Sequence, residues 1–157
     1  MMRCNSTIAI LIGTAMTLSF PIGVVAQPAA PEMEPILNSG GLCLDVHAPD
    51  QNINGGRVQM WQCNGSPQQQ WRFNGRQVVS AAGKCLDVHA PEMHLNGTHV
   101  QVWDCNNSPQ QSWFLRGRQL RNVNGKCLDV HAPDLRNNGA RVQVWDCNGT
   151  IQQKWHY

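Results

Sequence analysis

The sequence predicts an all-β protein built from three copies of one 42-residue unit, and three observations carry that prediction. The first is the period. Cys43, Cys85 and Cys127 each open a Cys-Leu-Asp-Val-His-Ala-Pro string, and Trp61, Trp103 and Trp145 recur at the same interval, as do Trp71, Trp113 and Trp155. Between Cys85–Cys105 and Cys127–Cys147, 15 of 21 positions are identical without an insertion. A fixed period of this length marks repeated structural units. The second is period-two alternation. Leu44 and Val46 share one face while Cys43, Asp45 and His47 share the other; Val58 and Met60 oppose Gln59, Trp61 and Cys63 in the same way. The third is the absence of helical spacing, together with turn signals at Asn54-Gly55-Gly56, Asn96-Gly97 and Asn138-Gly139.

Taken in order, residues 1–26 read as a secretory signal: Arg3, an apolar run from Ile8 to Phe20, Pro21, and a small-residue exit at Val24-Val25-Ala26. The run is broken by Gly13, Thr14, Thr17 and Ser19, whereas a membrane span needs about 20 apolar residues. Residues 27–31 form a short linker, and the units are 32–73, 74–115 and 116–157. Each unit is expected to hold a strand, a loop of about ten residues, a second strand and a last strand around Gln-x-Trp.

Of the seven cysteines, Cys4 lies in the signal and six remain, two per unit. An even count in an exported chain reads as disulfides. Cys43–Cys63, Cys85–Cys105 and Cys127–Cys147 is the pairing that treats the units alike within each unit. Each bridge closes a loop of about 20 residues, worth roughly 3 kcal/mol on the chain-entropy estimate. Metal ligation would want short Cys-x-x-Cys or His spacings, which do not occur. The net charge is +2 and only 14% of residues are charged. Arg116, Arg118, Arg121 and Lys126 form the densest basic group, which reads as a solvated strand edge, so neither nucleic acid nor membrane insertion is expected. The expected location is extracellular or periplasmic.

If bridged cysteines face one another on antiparallel strands, Asp45 falls opposite Trp61 and His47 opposite Gln59; Asp87 then faces Trp103, and Asp129 faces Trp145. Directly opposed side chains lie about 5 Å apart. A carboxylate accepts two hydroxyl hydrogen bonds, and an indole face covers the C–H side of a pyranose. Such an aromatic platform with a few placed polar groups is a common form of binding site.

These strings resemble the ricin-type lectin repeat, also found as carbohydrate-binding modules attached to bacterial xylanases. The likeness covers about residues 32–157. It implies a β-trefoil with pseudo-threefold symmetry, six strands in a barrel capped by three hairpins, and the same intra-unit disulfides. It implies that Asp45, Asp87 and Asp129 bind sugar hydroxyls and that Trp61, Trp103 and Trp145 stack on the ring. Gln69, Gln111 and Gln153 would support the aspartates, with Trp71, Trp113 and Trp155 in the core. Gln59, Gln101 and Gln143, on the tryptophan face, join the candidate carbohydrate-binding residues. So do Gln68, Gln110 and Gln152, which stand where family members often carry Asn and so set the amide one methylene further out. The implied partners are galactose-type sugars, xylan-like polysaccharide or cell-surface glycans, with no cofactor.

His47, His89 and His131 read as solvent-facing strand residues, and one Asp-x-His per unit is too small a ligand set for a metal. The Asn-x-Ser/Thr strings at Asn64, Asn96, Asn106 and Asn148 read as turns. No G-x-S-x-G, His-Glu-x-x-His or P-loop occurs, and a glycosidase needs two carboxylates in separate roles. The sequence therefore points to a non-enzymatic lectin with up to three weak sites. The competing reading is a trefoil that binds protein, as an inhibitor or a toxin's attachment subunit.

Overall fold

The computed structural model describes residues 32–157. The proposed signal, residues 1–26, and the linker, residues 27–31, lie outside the described residues. No helix among the described residues is long and apolar enough to cross a membrane.

Twelve strands follow one another: β1 (Leu37–Asn38), β2 (Cys43–Val46), β3 (Gly56–Trp61), β4 (Trp71–Asn74), β5 (Gln77–Ser80), β6 (Lys84–Val88), β7 (Thr98–Asp104), β8 (Trp113–Arg116), β9 (Gln119–Asn122), β10 (Lys126–Val130), β11 (Ala140–Asp146) and β12 (Trp155–His156). Single 3-10 turns at Pro67–Gln69, Pro109–Gln111 and Ile151–Gln153 precede the Gln-x-Trp strands, and another spans Ala48–Asp50. The alternating residues β2/β3, β6/β7 and β10/β11 pair as antiparallel hairpins. A second set of antiparallel pairs, β12–β1, β4–β5 and β8–β9, joins each repeat to the next and closes the ring. This is an all-β trefoil.

Around the pseudo-threefold axis β3, β7 and β11 each pair with both of the others. The apolar faces read from the sequence meet there. Leu44, Val46, Val58, Met60 and their copies form one core with Trp71, Trp113 and Trp155. Each core indole satisfies its N–H on a backbone carbonyl: Trp71 Nε1 donates to Leu44 O (2.9 Å), Trp113 to Leu86 O (2.9 Å) and Trp155 to Leu128 O (3.0 Å). A buried indole N–H without such a partner is costly, so these bonds fix where each Gln-x-Trp strand docks.

The bridges join Cys43 to Cys63, Cys85 to Cys105 and Cys127 to Cys147, each with Cα atoms 5.1 Å apart. The strand register differs from the one deduced from them. Cys43 lies opposite Trp61 and Asp45 opposite Gln59, a slip of two residues, and the other repeats do the same. The reason is that Cys63 lies beyond the end of β3 and Cys105 beyond β7, so each bridge reaches back diagonally instead of spanning a ladder pair. A slip of two preserves which face every side chain occupies, so the core pattern is unaffected.

Side chains also lock neighbouring repeats together. Asn54, in the turn before β3, donates from Nδ2 to Asp104 Oδ2 (2.9 Å), and its Oδ1 accepts from the Asp104 N–H and Lys84 Nζ. Lys84 Nζ also donates to Asp104 Oδ1 at 2.6 Å. Asn96, Asp146 and Lys126 repeat this clamp. Lysine and asparagine donors hold the Asp104 and Asp146 carboxyls below their ordinary pKa. At the third junction Leu42 and Gln62 replace the charged pair, and only the Gln62 N–H donates to Asn138 Oδ1 (2.7 Å).

Candidate functional site

Each hairpin carries an open pocket on its polar face. The first is lined by Asp45, His47, Gln59, Trp61, Asn64, Ser66 and Gln68, among others, with a volume of about 440 Å³. Its copies, at Asp87/Trp103 and Asp129/Trp145, measure about 270 and 520 Å³.

The aspartate is the floor of the pocket. Asp45, Asp87 and Asp129 are only 5–6% exposed, so their carboxylates need partners. The register provides one directly. Gln59 lies opposite Asp45, and its Nε2 donates to Asp45 Oδ1 at 2.9 Å; Gln101 and Gln143 do the same to Asp87 and Asp129 at 3.0 Å. The other oxygen, Oδ2, accepts from Nε2 of Gln69, Gln111 or Gln153 at 3.2 Å. Burial raises the pKa of all three aspartates, and the two glutamine hydrogen bonds oppose that rise.

Gln69, Gln111 and Gln153 are themselves fully buried. Beyond the aspartate, Gln69 Nε2 donates to Gln62 O (2.9 Å) and its Oε1 accepts from the Asn64 N–H (2.9 Å); the copies match. With its polar atoms spent on protein, this glutamine positions the aspartate and has no free group for a ligand. Gln68, Gln110 and Gln152, one residue earlier, line the pockets instead.

Trp61, Trp103 and Trp145 are 38–39% exposed and form one wall. Each is the diagonal neighbour of its aspartate, a spacing of about 7–8 Å between backbones that long side chains bridge. The preceding repeat supports two of these rings. A Cβ on Gly55 would lie 3.9 Å from the Trp103 ring, and one on Gly97 would lie 3.6 Å from Trp145. Both glycines have positive φ, +83° and +87°, so the Asn-Gly turn sits close beneath the indole in a conformation that L side chains rarely adopt.

The histidines stand at the rim and are tied down: His47 Nδ1 meets Asp50 Oδ2 (3.0 Å), His89 meets Glu92 (3.3 Å) and His131 meets Asp134 (3.1 Å). Asn64, Asn106 and Asn148, read from the sequence as turn residues, do hold turns, each Oδ1 accepting the N–H two residues on. They also line the pockets, as do Arg57 and Arg141. That lining role was missed; the signal for it was the recurrence of Asn directly after the second cysteine of every unit. Two acceptors in this region are buried without a partner among the described residues, Gln59 Oε1 and Gln110 Oε1. No group of three or more potential metal ligands occurs among the described residues.

Three like hairpins around an axis define the chain as a β-trefoil, and each carries one acid-and-indole pocket. A family model for the ricin-type β-trefoil lectin domain matches residues 34–155, and the chain belongs to that family. It is a carbohydrate-binding lectin domain. None of the curated proteins searched matches the chain. Among solved structures, the β-trefoil lectin of the Vibrio vulnificus hemolysin/cytolysin, with N-acetyl-D-lactosamine bound, is similar at 27% identity and a TM-score of 0.65, covering 82% of this chain and 94% of that one. The designed threefold-symmetric protein ThreeFoil shares the fold at 24% identity and a TM-score of 0.68, covering 78% and 94%. The agglutinin of Abrus precatorius shares it at 21% identity and a TM-score of 0.70, over 85% of this chain but 50% of that one.

Proposed function

We propose that this protein is an exported, non-enzymatic lectin that binds saccharide in three like pockets, with the aspartate accepting hydroxyls and the tryptophan stacking on the ring. The single observation that carries this reading is the juxtaposition in every repeat of a buried carboxylate, held on both oxygens, with a tryptophan more than a third exposed. Each carboxylate oxygen keeps a lone-pair direction for a sugar hydroxyl beyond the glutamine bond it already accepts. The orphaned Gln59 Oε1 and Gln110 Oε1 are acceptors that a hydroxyl donor would satisfy. The sugar bound by the Vibrio vulnificus relative favours a galactose-type ligand, and the longer Gln68, Gln110 and Gln152 amides set this chain's own preference.

Shallow single sites of this kind bind at about 0.1–1 mM, or about −4 to −5 kcal/mol. Three on one rigid body gain avidity on polysaccharides and glycosylated surfaces. The test is a glycan array followed by Asp45→Asn, Asp87→Asn and Asp129→Asn, alone and combined. Each single change removes one site from the calorimetric stoichiometry, and each lost charged hydrogen-bond acceptor weakens its site by about tenfold or more. If the triple variant binds the selected glycan as well as the parent, the aspartates are not the sugar ligands. A blank array with recovery of one protein partner supports the protein-binding reading instead.

The raised aspartate pKa values give a pH prediction. Only the ionised carboxylate accepts hydroxyls on both oxygens, so affinity falls on acidification, starting above the ordinary aspartate value of about 3.9. Stability moves the other way for these groups. A carboxyl whose pKa is raised by folding binds its proton more tightly in the native state, so protonating it does not unfold the protein. Asp104 and Asp146, with lowered values, lose a contribution at still lower pH, but both are exposed and the effect is small. Retention on glycan is therefore lost at a pH where circular dichroism still reports a folded trefoil.

A further inference from the structure

The pseudo-threefold axis carries a cavity of its own that adjoins the pockets of the first and third repeats. Where β3, β7 and β11 pair with one another, Arg57 lies opposite Gln101, His99 opposite Gln143 and Arg141 opposite Gln59. Within a strand, residues two apart share a face. The three pairs therefore form one ring on the outer face, with Arg57, His99 and Arg141 alternating with glutamines. These three side chains line a single cavity of about 370 Å³. Gly55 and Gly139 also line it, and no carboxylate does.

Neither arginine there forms an ion pair among the described residues. Arg57 makes no side-chain hydrogen bond or ion pair among the described residues, and Arg141 donates only to the neutral Gln143 Oε1 (2.8 Å). His99 stacks on His89 with ring centroids 4.5 Å apart. Burial, His89 and Arg141 all disfavour its imidazolium, while Glu92 and Gln101 favour it. Glu92 is the one acid acting on that ring, and His89 already engages it. Two guanidiniums and an imidazole thus converge from three strands on a cavity that no carboxylate lines, and Asp45, on the floor of the first pocket, feels the charge of Arg57 without pairing with it. Guanidinium forks match oxyanions in shape as well as sign.

We propose that this axial basin is an oxyanion site, adjoining the saccharide pockets but centred on the axis between them, taking one sulfate, phosphate or carboxylate group per chain. The group is either a free ion or an acidic substituent of a glycan. The second source is within reach because Arg57 and Arg141 also border the saccharide pockets of the first and third repeats. The second repeat differs: His99 stands at the matching position and does not line that repeat's pocket.

The test is calorimetric titration with sodium sulfate against a sodium chloride control at constant ionic strength, using no sugar, so its result is independent of the lectin reading. One sulfate binds per chain. Affinity falls several-fold as the pH rises toward about 6.5, because burial and the neighbouring cations hold the His99 pKa below the ordinary imidazole value. Arg57→Gln with Arg141→Gln weakens binding about tenfold or more, while the double Lys variant keeps much of it. All three positions are exposed, so the variants fold, which thermal unfolding verifies. His99→Gln retains sulfate binding and removes its pH dependence. For the source, a sulfated glycan retained more tightly than its neutral parent, and eluted by sulfate, identifies the substituent; equal retention with sulfate still bound identifies the free ion. Three sulfates per chain, no sulfate binding at about 10 mM and pH 5.5, or binding unchanged in the double Gln variant overturns the proposal.

Discussion

Changing Trp61, Trp103 and Trp145 together to alanine abolishes retention on glycan and leaves the trefoil folded. The two halves of this expectation have separate physical grounds. For binding, each indole is the apolar wall of its pocket, and stacking contributes about 0.5–1.5 kcal/mol beyond the area covered. Set against about −4 to −5 kcal/mol for a whole site, that loss alone weakens each site by about two- to twelvefold before the lost apolar area is counted, and avidity multiplies the deficit over three sites. For folding, these rings stand outside the buried core, which Trp71, Trp113 and Trp155 fill with the valine and leucine strands. Affinity retention, with far-UV circular dichroism and urea unfolding as the fold check, reads both halves. Undiminished retention in a folded triple variant shows that the sugar is held elsewhere.

Trp155→Ala has the opposite profile, a large loss of stability. Trp155 is fully buried, its Nε1 donates to Leu128 O, and its strand closes the ring on β1 through Asn38↔Trp155 and Leu37↔His156. Truncating a buried tryptophan costs about 3–5 kcal/mol. The carbonyl stranded at Leu128 adds about 1–3 kcal/mol. Against a total stability of about 5–15 kcal/mol, the variant is marginal at best. Urea or thermal unfolding measures this directly, and a change under about 1 kcal/mol would mean that the closing strand is not part of the cooperative core.

The two tryptophan sets were separable from sequence because spacing and context differ. Gln-x-Trp ends a unit, whereas Trp-x-Cys sits on the face opposite Val58 and Met60. Face assignments are robust for a physical reason: side-chain direction depends only on parity along a strand, and the real register slipped by an even number. The slip itself was not legible, because cysteine spacing does not say whether a bridge crosses a ladder pair or a diagonal. It changes the direct neighbour of Asp45 from Trp61 to Gln59, and with it the reason the carboxylate tolerates burial.

Burial of the polar residues was also hidden. Aspartate and glutamine are residue types usually found exposed, and only the three-way bond set among Asp45, Gln59 and Gln69 explains why they are enclosed. Contacts between repeats, such as Asn54 with Asp104 or Gly55 beneath Trp103, join residues about 50 positions apart that no local pattern links. The axial ring of Arg57, His99 and Arg141 is the same case, visible only once three strands pair around one axis.

The most direct test of the proposed saccharide pockets is a ¹H–¹⁵N spectrum of the six indole N–H groups during titration with a glycan that the protein retains. The signals of Trp61, Trp103 and Trp145 move with the added sugar, and those of Trp71, Trp113 and Trp155, bonded to backbone carbonyls in the core, hold their positions. A retained glycan that leaves the three exposed indoles unmoved contradicts the assignment of these pockets.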